Sequence, residues 1–521
     1  MLTRLYVVSL NGLYLWNEAN KCIETPTHSK HPILKTKKIG LFLGPVLFFL
    51  VRYTLHLEGL SDHGNAVLAA TLWIATWWIT EAIPIAATAL LPIVLFPLTG
   101  ALALSETTAS YGHRYIFLYV GGFILAIAIE KWNLHKRIAL NIIKRIGSDL
   151  TNIILGFMLA TAFLSMWISN TATAVMMLPI GIAIIKQVKD LKSTPEDERA
   201  IFGKALMLSI AFSASIGGLA TLIGTPPNLV FVGVLQELYG IEISFFDWFV
   251  FGLPISVILL FISWVYLTRV AFTFRKNKFL GGRKEIDQQL KALGKIGYEE
   301  TLVFLVFALT ALAWITRSFF LNRFFPALDD TIIALIAGLS LFLLSAKSPG
   351  QVKKLIHWED AVKLPWGILL LFGGGLAIAQ GFQSSGLATW IAEQMVQLNG
   401  FSILMILLTV ITVVNFMTEI TSNLATTAML LPILAPAAVI LDVHPYLLMV
   451  GATLAASCAF MLPVATPPNA VVFGSNYLKI ADMVRVGFVM NIISIIIILL
   501  MVYFVLPDIW HFDPFKNPFA T

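Results

Sequence analysis

Long apolar segments recur between residues 39 and 507, and their length sets the class of fold. Hydrophobic residues make up 58% of the 521 residues and charged residues only 12%, whereas soluble domains carry about 25% charged residues. About 20 apolar residues in a helix cross a hydrocarbon core. We therefore predict an all-α polytopic membrane protein with about 11 transmembrane helices; a β-barrel would show short segments of alternating polarity. The predicted spans are 39–56, 66–80, 84–104, 115–130, 203–238, 249–273, 298–321, 330–345, 365–380, 447–478 and 485–507.

Lysine and arginine residues concentrate in alternate loops and indicate the orientation. Of the 35 basic residues, 30 fall in predicted cytoplasmic segments, and cytoplasmic loops are the ones that carry such an excess. The bias places the N-terminal tail (1–38) and a basic linker (274–297) in the cytoplasm, and the C-terminal tail (508–521) outside. The net charge of +6 therefore reports topology and does not indicate nucleic-acid binding. Cys22 and Cys458 lie in different settings and predict no disulfide framework.

Two further apolar stretches carry a Ser-Asn pair in their middle, SMWISNTATAVMMLPI and TEITSNLATTAMLLPI. The first lies between two basic segments, 131–149 and 186–204, so it must cross the membrane an even number of times. Its apolar arms are short for full spans, which favours a re-entrant hairpin over two complete crossings. We predict one hairpin that enters from the cytoplasm (151–185) and a second one that enters from outside (401–441).

Three sequence landmarks occur twice in the same order. YVGGFILAIAI pairs with LFGGGLAIAQ, SNTATAVMMLPI with SNLATTAMLLPI, and LIGTPPNLVF with PVATPPNAVVF. Because the charge bias gives the two copies opposite directions, we predict inverted repeats over residues 66–273 and 298–507, preceded by a first helix and an outer loop (39–65). Inverted repeats with a binding site near the midplane where they meet are typical of secondary transporters.

Each repeat contains Thr-Pro-Pro-Asn inside a long apolar segment, at 225–228 and 466–469. Adjacent prolines remove two N–H donors and clash with the preceding turn, so we predict two half-helices joined by an unwound link in each repeat. Unwound backbone at membrane depth survives only where protein or a water-filled cavity satisfies it. Its carbonyl groups suit a small hard cation, and the N-termini of half-helices suit an anion.

The Ser-Asn pairs bring polar groups of both kinds to the same place. Asparagine has an acceptor oxygen for a cation and donor N–H groups for the oxygen of an anion. Taken singly, such residues also act as packing contacts between membrane helices, but duplication of both motifs at matched positions favours a binding site. Lys and Arg do not lie centrally in a span near the motifs, so dipoles, hydroxyls and bound cations would hold the anion. Glu419 is interpreted as lining the outer vestibule, with a proton site as the alternative.

The sequence lacks the signatures of enzymatic chemistry. Its histidines and cysteines do not show metal-ligand spacing, and the phosphate-binding motif GxxxxGK[ST] does not occur. An enzyme would need titratable groups that converge on a cavity, whereas these motifs supply amides and hydroxyls. We therefore predict a carrier rather than an enzyme or a channel.

These motifs give the chain a resemblance to the divalent anion/sodium symporter family, the sodium-coupled carriers of di- and tricarboxylates. The resemblance rests on WWITEAIPIAATALLP, on both Ser-Asn stretches and on both Thr-Pro-Pro-Asn breaks, and it covers nearly the whole chain after residue 38. It implies a homodimer in the lipid bilayer. Each protomer would have a dimerising scaffold part and a transport part that moves as an elevator, carrying sodium ions and a small dianionic substrate.

The resemblance also assigns site residues, position by position. The residues implied for the first sodium site are Ser165, Ser169, Asn170 and Gly224. Those implied for the second sodium site are Thr418, Thr421, Asn423 and Ala465. Those implied for the substrate are Asn170, Thr171, Asn423, Thr466, Pro467 and Thr225, the last as the symmetry mate of Thr466. One position departs from the family pattern, because Leu424 stands where the second Ser-Asn-Thr motif has threonine, and a hydroxyl donor to the substrate is lost.

The expected function is sodium-coupled import of C4-dicarboxylates such as succinate, malate and fumarate. The expected location is a bacterial inner membrane, with the N-terminus cytoplasmic and the C-terminus periplasmic. Leu424 leaves the preferred substrate open, so citrate or sulfate are alternatives. A sodium-independent dicarboxylate exchanger on the same fold is a further alternative.

Overall fold

The described part of the chain is helical almost throughout. The computed structural model describes residues 30–55, 57–147, 149–188, 198–274, 280–347, 353–394 and 402–516. Within those ranges, strand structure is limited to a two-residue antiparallel pair, β1 (Ser345–Ala346) and β2 (Lys353–Lys354). The predicted all-α class is confirmed. Residues 1–29 of the predicted tail and residues 275–279 of the predicted linker lie outside the described residues.

The first half of the chain runs from α1 to α13. Its helices are α1 (Lys30–Thr54), α2 (Asp62–Thr80), α3 (Ile85–Thr88), α4 (Leu91–Thr99), α5 (Leu104–Ala109), α6 (Arg114–Lys131), α7 (Leu134–Ile146), α8 (Leu150–Ser165), α9 (Asn170–Gln187), α10 (Glu198–Gly218), α11 (Pro226–Tyr239), α12 (Phe245–Val265) and α13 (Leu280–Leu293). A 3-10 turn at Ser110–Gly112 precedes α6, and a π-helical segment, Tyr266–Ala271, extends α12.

The second half follows a similar course. Its helices are α14 (Tyr298–Thr316), α15 (Asp330–Leu343), α16 (Trp358–Ala361), α17 (Trp366–Ser384), α18 (Leu387–Gln394), α19 (Ile403–Met417), α20 (Asn423–Ile440), α21 (Pro445–Ala456), α22 (Pro467–Phe473), α23 (Ile480–Leu500) and α24 (Leu506–Trp510). A 3-10 turn at Leu321–Arg323 precedes α15, and a π-helical segment, Met501–Val505, joins α23 to α24.

Seven helices of the described chain are long and apolar enough to cross a membrane by length and composition. Shorter apolar helices, among them α8, α15, α19 and α21, add to these. The predicted span 84–104 is divided into the short helices α3 and α4. Prolines account for the division, because Pro84 precedes α3 and Pro92 lies in the first turn of α4, where the missing N–H is tolerated.

Both Thr-Pro-Pro-Asn segments break a helix, as predicted. In the first half, α10 ends at Gly218 and α11 begins at Pro226. In the second half, α21 ends at Ala456 and α22 begins at Pro467. The residues between them, 219–225 and 457–466, are called here the first link and the second link. Proline occupies the first helical position after each link, where its fixed φ favours the start of a helix.

Both Ser-Asn stretches form a helix–turn–helix. Residues 166–169 join α8 to α9, and residues 418–422 join α19 to α20; these turns are called here the first tip and the second tip. The halves interlock, because α9 packs against α22 while α20 packs against α11. Each hairpin therefore contacts a half-helix of the other half of the chain, and this arrangement positions the polar groups described next.

Candidate functional site

The first tip presents Asn170 at the start of a helix. Ser169 is the N-cap of α9, and its Oγ accepts a hydrogen bond from the N–H of Ala172 at 3.2 Å. Serine is among the best N-cap residues because its oxygen satisfies an N–H that the helix leaves unpaired. The cap therefore explains why the helix begins at Asn170, in the middle of an apolar stretch.

Oxygen atoms converge on the side chain of Asn170. Ser165 Oγ lies 2.6 Å from Asn170 Oδ1 and 2.7 Å from the carbonyl oxygen of Ala214. Asn170 Oδ1 is also 3.1 Å from that carbonyl oxygen and 3.2 Å from the carbonyl oxygen of Gly224. A serine hydroxyl has a single proton, so it cannot serve two acceptors at once. We call these four oxygens the first oxygen cluster.

Two arrangements satisfy this cluster. The amide of Asn170 can be turned so that its NH₂ group donates to the carbonyls of Ala214 and Gly224, since its two ends are told apart only by their partners. Alternatively, a cation can lie among the four oxygens, because neutral carbonyl, amide and hydroxyl oxygens are ligands of hard cations. The residues present therefore fit a sodium ion without any carboxylate.

Close backbone approach makes the first cluster possible. A Cβ on Gly218 would lie 2.8 Å from Asn170 Oδ1, and a Cβ on Gly224 would lie 2.5 Å from the carbonyl oxygen of Gly218. Such distances are far below normal contact, so a larger residue at either position would push the first link away from the tip. Asn228 also holds the first link: its Nδ2 donates to the carbonyls of Gly218 and Thr221, at 3.1 and 2.8 Å.

The second tip repeats this geometry with different residues. Thr418 Oγ1 lies 2.7 Å from Asn423 Oδ1 and 2.9 Å from the carbonyl oxygen of Ala456. Again one hydroxyl proton faces two acceptors. These oxygens are the second oxygen cluster.

The second link is held as the first one is. Asn469 Nδ2 donates to the carbonyls of Ala459 and Leu462, at 3.2 and 3.0 Å. The amide oxygens of Asn228 and Asn469 are both buried and have no hydrogen-bond partner among the described residues. The shared pattern of hydroxyl, amide, carbonyl and supporting asparagine gives each half of the chain one such site.

The structure brings some of the residues named from the sequence together and separates others. Ser165, Asn170 and Gly224 meet at the first cluster, and Thr418 and Asn423 meet at the second. Ser169 serves as a helix cap. The remaining residues are placed as follows: Thr421 Oγ1 donates to Met417 O at 2.9 Å and lies 2.6 Å from Thr426 Oγ1, Ala465 N–H donates to Leu462 O, Thr225 and Thr466 are buried N-caps, Thr171 is half-buried in the first turn of α9, and Pro467 is exposed.

Sequence reasoning named Gly224 but missed the other two backbone partners in these clusters. The carbonyl oxygens of Ala214 and Ala456 belong to alanines inside apolar helices, and nothing in their side chains marks them. Asn228 and Asn469 stand inside the quoted Thr-Pro-Pro-Asn motifs but had no role assigned. Their position directly after the prolines was the available signal, because the N-terminal turn of a half-helix faces the link that must be held.

The interpretation of Glu419 is wrong. The sequence suggested a place in the outer vestibule, but the side chain is only 3% exposed. Its carboxylate accepts hydrogen bonds from backbone N–H groups of the second link. The reason is geometric: the second link leaves N–H groups without helical partners, and a buried carboxylate beside them is stabilised only when it is hydrogen-bonded.

Comparison with known proteins shows the family of this chain. The family model for the transmembrane region of sodium:sulfate symporters matches residues 35–507. The chain belongs to this family. The match covers both hairpins and both links, so the predicted kinship with divalent anion/sodium symporters is confirmed.

Two staphylococcal proteins are similar to this chain over most of its length. The chain is 50% identical over 479 residues to the sodium-dependent dicarboxylate transporter SdcS of Staphylococcus saprophyticus, covering 91% of this chain and 92% of the relative. It is also 50% identical over 488 residues to SdcS of Staphylococcus aureus, covering 93% and 94%.

Two solved structures share the fold at low sequence identity. Neisseria gonorrhoeae MtrF, described among antimetabolite efflux pumps, has a TM-score of 0.55 at 12% identity and covers 95% of this chain and 98% of its own. The Alcanivorax borkumensis transporter YdaH has a TM-score of 0.55 at 13% identity and covers 90% and 96%. These likenesses support the multi-pass helical architecture alone.

Proposed function

We propose that this chain imports C4-dicarboxylates, such as succinate, malate and fumarate, together with sodium ions. The observation that carries the proposal is the pair of oxygen clusters, one at each tip and each beside a broken helix. Each cluster combines a hydroxyl, an amide oxygen and a backbone carbonyl, a donor set that hard cations take. The name of the staphylococcal relatives, sodium-dependent dicarboxylate transporter, supports the choice of sodium and of a dicarboxylate.

The anion would be bound by helix starts and amides rather than by a basic side chain. Asn170 and Thr171 lie in the first turn of α9, and Asn423 begins α20. The first N–H groups of a helix and its positive dipole end favour a carboxylate. Thr225, Thr466 and Pro467 stand at the starts of α11 and α22 and complete the proposed substrate site.

Sodium and the dianion would bind cooperatively. A cation in either cluster fixes the asparagine amide with its oxygen toward the metal, so the NH₂ group is free to donate to a substrate carboxylate. The cation also adds positive charge beside the anion. Because the coupling between two ligands is reciprocal, the substrate raises sodium affinity by the same factor, which links the two fluxes.

Movement of the site is proposed to follow an elevator. The hairpins 151–185 and 401–441, with the broken helices, would form the transport part, and the remaining spans would form a scaffold that dimerises. The described contacts between α9 and α22 and between α20 and α11 support a single moving unit. We further propose a bacterial inner membrane as the location, with the N-terminus cytoplasmic and the C-terminus outside.

Uptake into proteoliposomes tests the proposal. Labelled succinate should accumulate inside vesicles when sodium is higher outside, and accumulation should stop when the gradient is collapsed or sodium is replaced by choline. Citrate and sulfate serve as competing substrates in the same assay. Succinate uptake that ignores sodium and requires internal dicarboxylate would establish exchange and reject symport.

Leu424 favours a second substrate class as the alternative. Its side chain is buried, at 6% exposure, and it removes a hydroxyl that the first motif keeps at Thr171. An anion of different shape or orientation, citrate or sulfate, would suit such a site. Faster sodium-driven uptake of either anion than of succinate would establish this alternative.

A further inference from the structure

The second tip contains a buried carboxylate for which the proposed transport site has no use. Glu419 follows Thr418 of the second oxygen cluster directly and is 3% exposed. Its hydrogen-bond donors all come from N–H groups. They are Phe460 N to Oε1 at 2.8 Å, Met461 N to Oε1 at 3.0 Å, Leu462 N to Oε2 at 3.0 Å and Asn491 Nδ2 to Oε1 at 2.7 Å. An environment made of donors is the one that an ionised, acceptor-only carboxylate requires.

These hydrogen bonds hold the second link in place. The three backbone donors are consecutive, so the carboxylate fixes one turn of the link, from Phe460 to Leu462. The carbonyl of Ala456 in the second oxygen cluster lies just before this turn, and Ala465 of the proposed second sodium site lies just after it. A shift of the clamped residues would therefore move the carbonyl groups that a cation needs on either side.

In the part of the chain that the structure describes, the N–H groups of the first link have no carboxylate as hydrogen-bond acceptor. Met166 stands at the position equivalent to Glu419, and its backbone carbonyl accepts a hydrogen bond from Thr221 Oγ1 at 2.6 Å. The first link instead bonds to its own helix, with Leu219 N–H donating to Ile216 O at 3.2 Å and Ala220 N–H donating to Gly217 O at 3.1 Å. Among the described residues, a carboxylate therefore bonds to the second link, whereas the N–H groups of Leu219 and Ala220 in the first link bond to their own helix.

We propose that Glu419 is a positioning residue that makes the second sodium site fill at a lower sodium concentration than the first. Its charge attracts a cation through a medium of low dielectric constant, and its hydrogen bonds keep the second link in the geometry that binds one. The inference rests on the proposed sodium coupling, and it adds an order to it: the second site takes its ion first.

Sodium-dependent thermal stability of the purified full-length protein tests this directly. Sodium chloride is titrated against choline chloride at constant ionic strength, and the half-saturating sodium concentration is read from the rise in Tm. Glu419→Gln keeps the shape of the side chain but sets a donor against the N–H groups. It should raise half-saturation about tenfold, the effect of losing one charge-assisted hydrogen bond. Met166→Leu at the equivalent position is the matched control and should leave half-saturation unchanged.

Uptake of succinate distinguishes a role in sodium binding from a merely structural role, because a structural role would not change the sodium requirement alone. At saturating sodium, Glu419→Gln should leave the KM for succinate within about twofold of the wild-type value, while the sodium requirement for uptake rises with the shift seen in Tm. Glu419→Asp keeps the charge and shortens the clamp, so it should show a smaller rise than Glu419→Gln.

Other results would overturn the proposal for Glu419. Wild-type sodium half-saturation in Glu419→Gln, or an increase in KM for succinate as large as the sodium shift, overturns the proposal. If Glu419→Gln does not fold, Glu419→Asp decides, and unchanged half-saturation in that variant overturns it. Wild-type protein whose Tm responds to sodium but which does not take up succinate would reject the proposed function, while the Tm titrations still decide the role of Glu419.

Discussion

The two tips share one cluster geometry but differ in what surrounds them. In the first tip, Trp167 stacks on Phe245 and Trp314, with ring centroids 6.0 and 6.4 Å apart and interplanar angles of 19° and 7°. At the equivalent place in the second tip, Ile420 is 71% exposed. The first tip is thus anchored by aromatic packing, and the second tip by the carboxylate of Glu419. The comparison of the two tips shows that oxygen clusters of similar geometry can be held in place by two different kinds of contact.

The largest effect is expected from removing the asparagine amide, which both tips share. Asn170→Ala and Asn423→Ala each delete the amide that would face both cation and substrate, so each should abolish sodium-driven succinate uptake. Size-exclusion elution matching the wild type checks that the variant is folded. Full uptake by either folded variant would show that its cluster is not part of the transport site.

A second pair of substitutions tests the difference in side-chain packing between the two tips. Trp167→Ala should destabilise the protein by about 3 kcal/mol, the low end for removing a tryptophan from packed surroundings. The ring contacts with Phe245, Phe307 and Trp314 are lost in this variant. Ile420→Ala, the matched change at the exposed position, should stay within about 0.5 kcal/mol. Thermal unfolding in detergent measures both. Equal losses of Tm would mean that the second tip is packed as tightly as the first.

A third comparison removes one hydroxyl from each cluster. Ser165→Ala and Thr418→Val leave the neighbouring carbonyls without their hydroxyl partner and should each raise the sodium concentration needed for half-maximal uptake, by about fivefold. If the second site fills first, the Tm rise at low sodium should persist in Ser165→Ala and vanish in Thr418→Val. The reverse pattern would assign the tighter site to the first tip.

The smallest expected effect concerns the missing hydroxyl in the second motif. Leu424→Thr restores the Ser-Asn-Thr sequence and should lower the KM for succinate about threefold, since one neutral hydrogen bond contributes about 1 kcal/mol or less. Leu424→Val has nearly the shape of threonine without its hydroxyl, so it separates the hydrogen bond from the loss of volume. An identical KM in the two variants would show that position 424 does not reach the substrate.

The helical membrane fold, both helix breaks and both tips could be predicted from the sequence. Apolar length predicts membrane helices, adjacent prolines interrupt the hydrogen bonding of a helix, and the side chain of Ser169 caps the helix that follows the first tip. Each of these effects acts within a few residues. The grouping of Ser165 with Asn170 and of Thr418 with Asn423 came from the family resemblance, and both pairs are in contact in the structure.

The tertiary structure decided which distant groups complete the clusters. The carbonyls of Ala214 and Ala456 carry no sequence signal, since every residue has a carbonyl and only packing selects one. The place of Glu419 was also beyond the sequence. Its neighbour Thr418 put it at the tip, but whether it faced solvent or the second link depended on N–H groups some forty residues further along. The position of Glu419 at the second link is favoured because a buried carboxylate and unpaired N–H groups each cost free energy alone, and hydrogen bonds between them remove both costs.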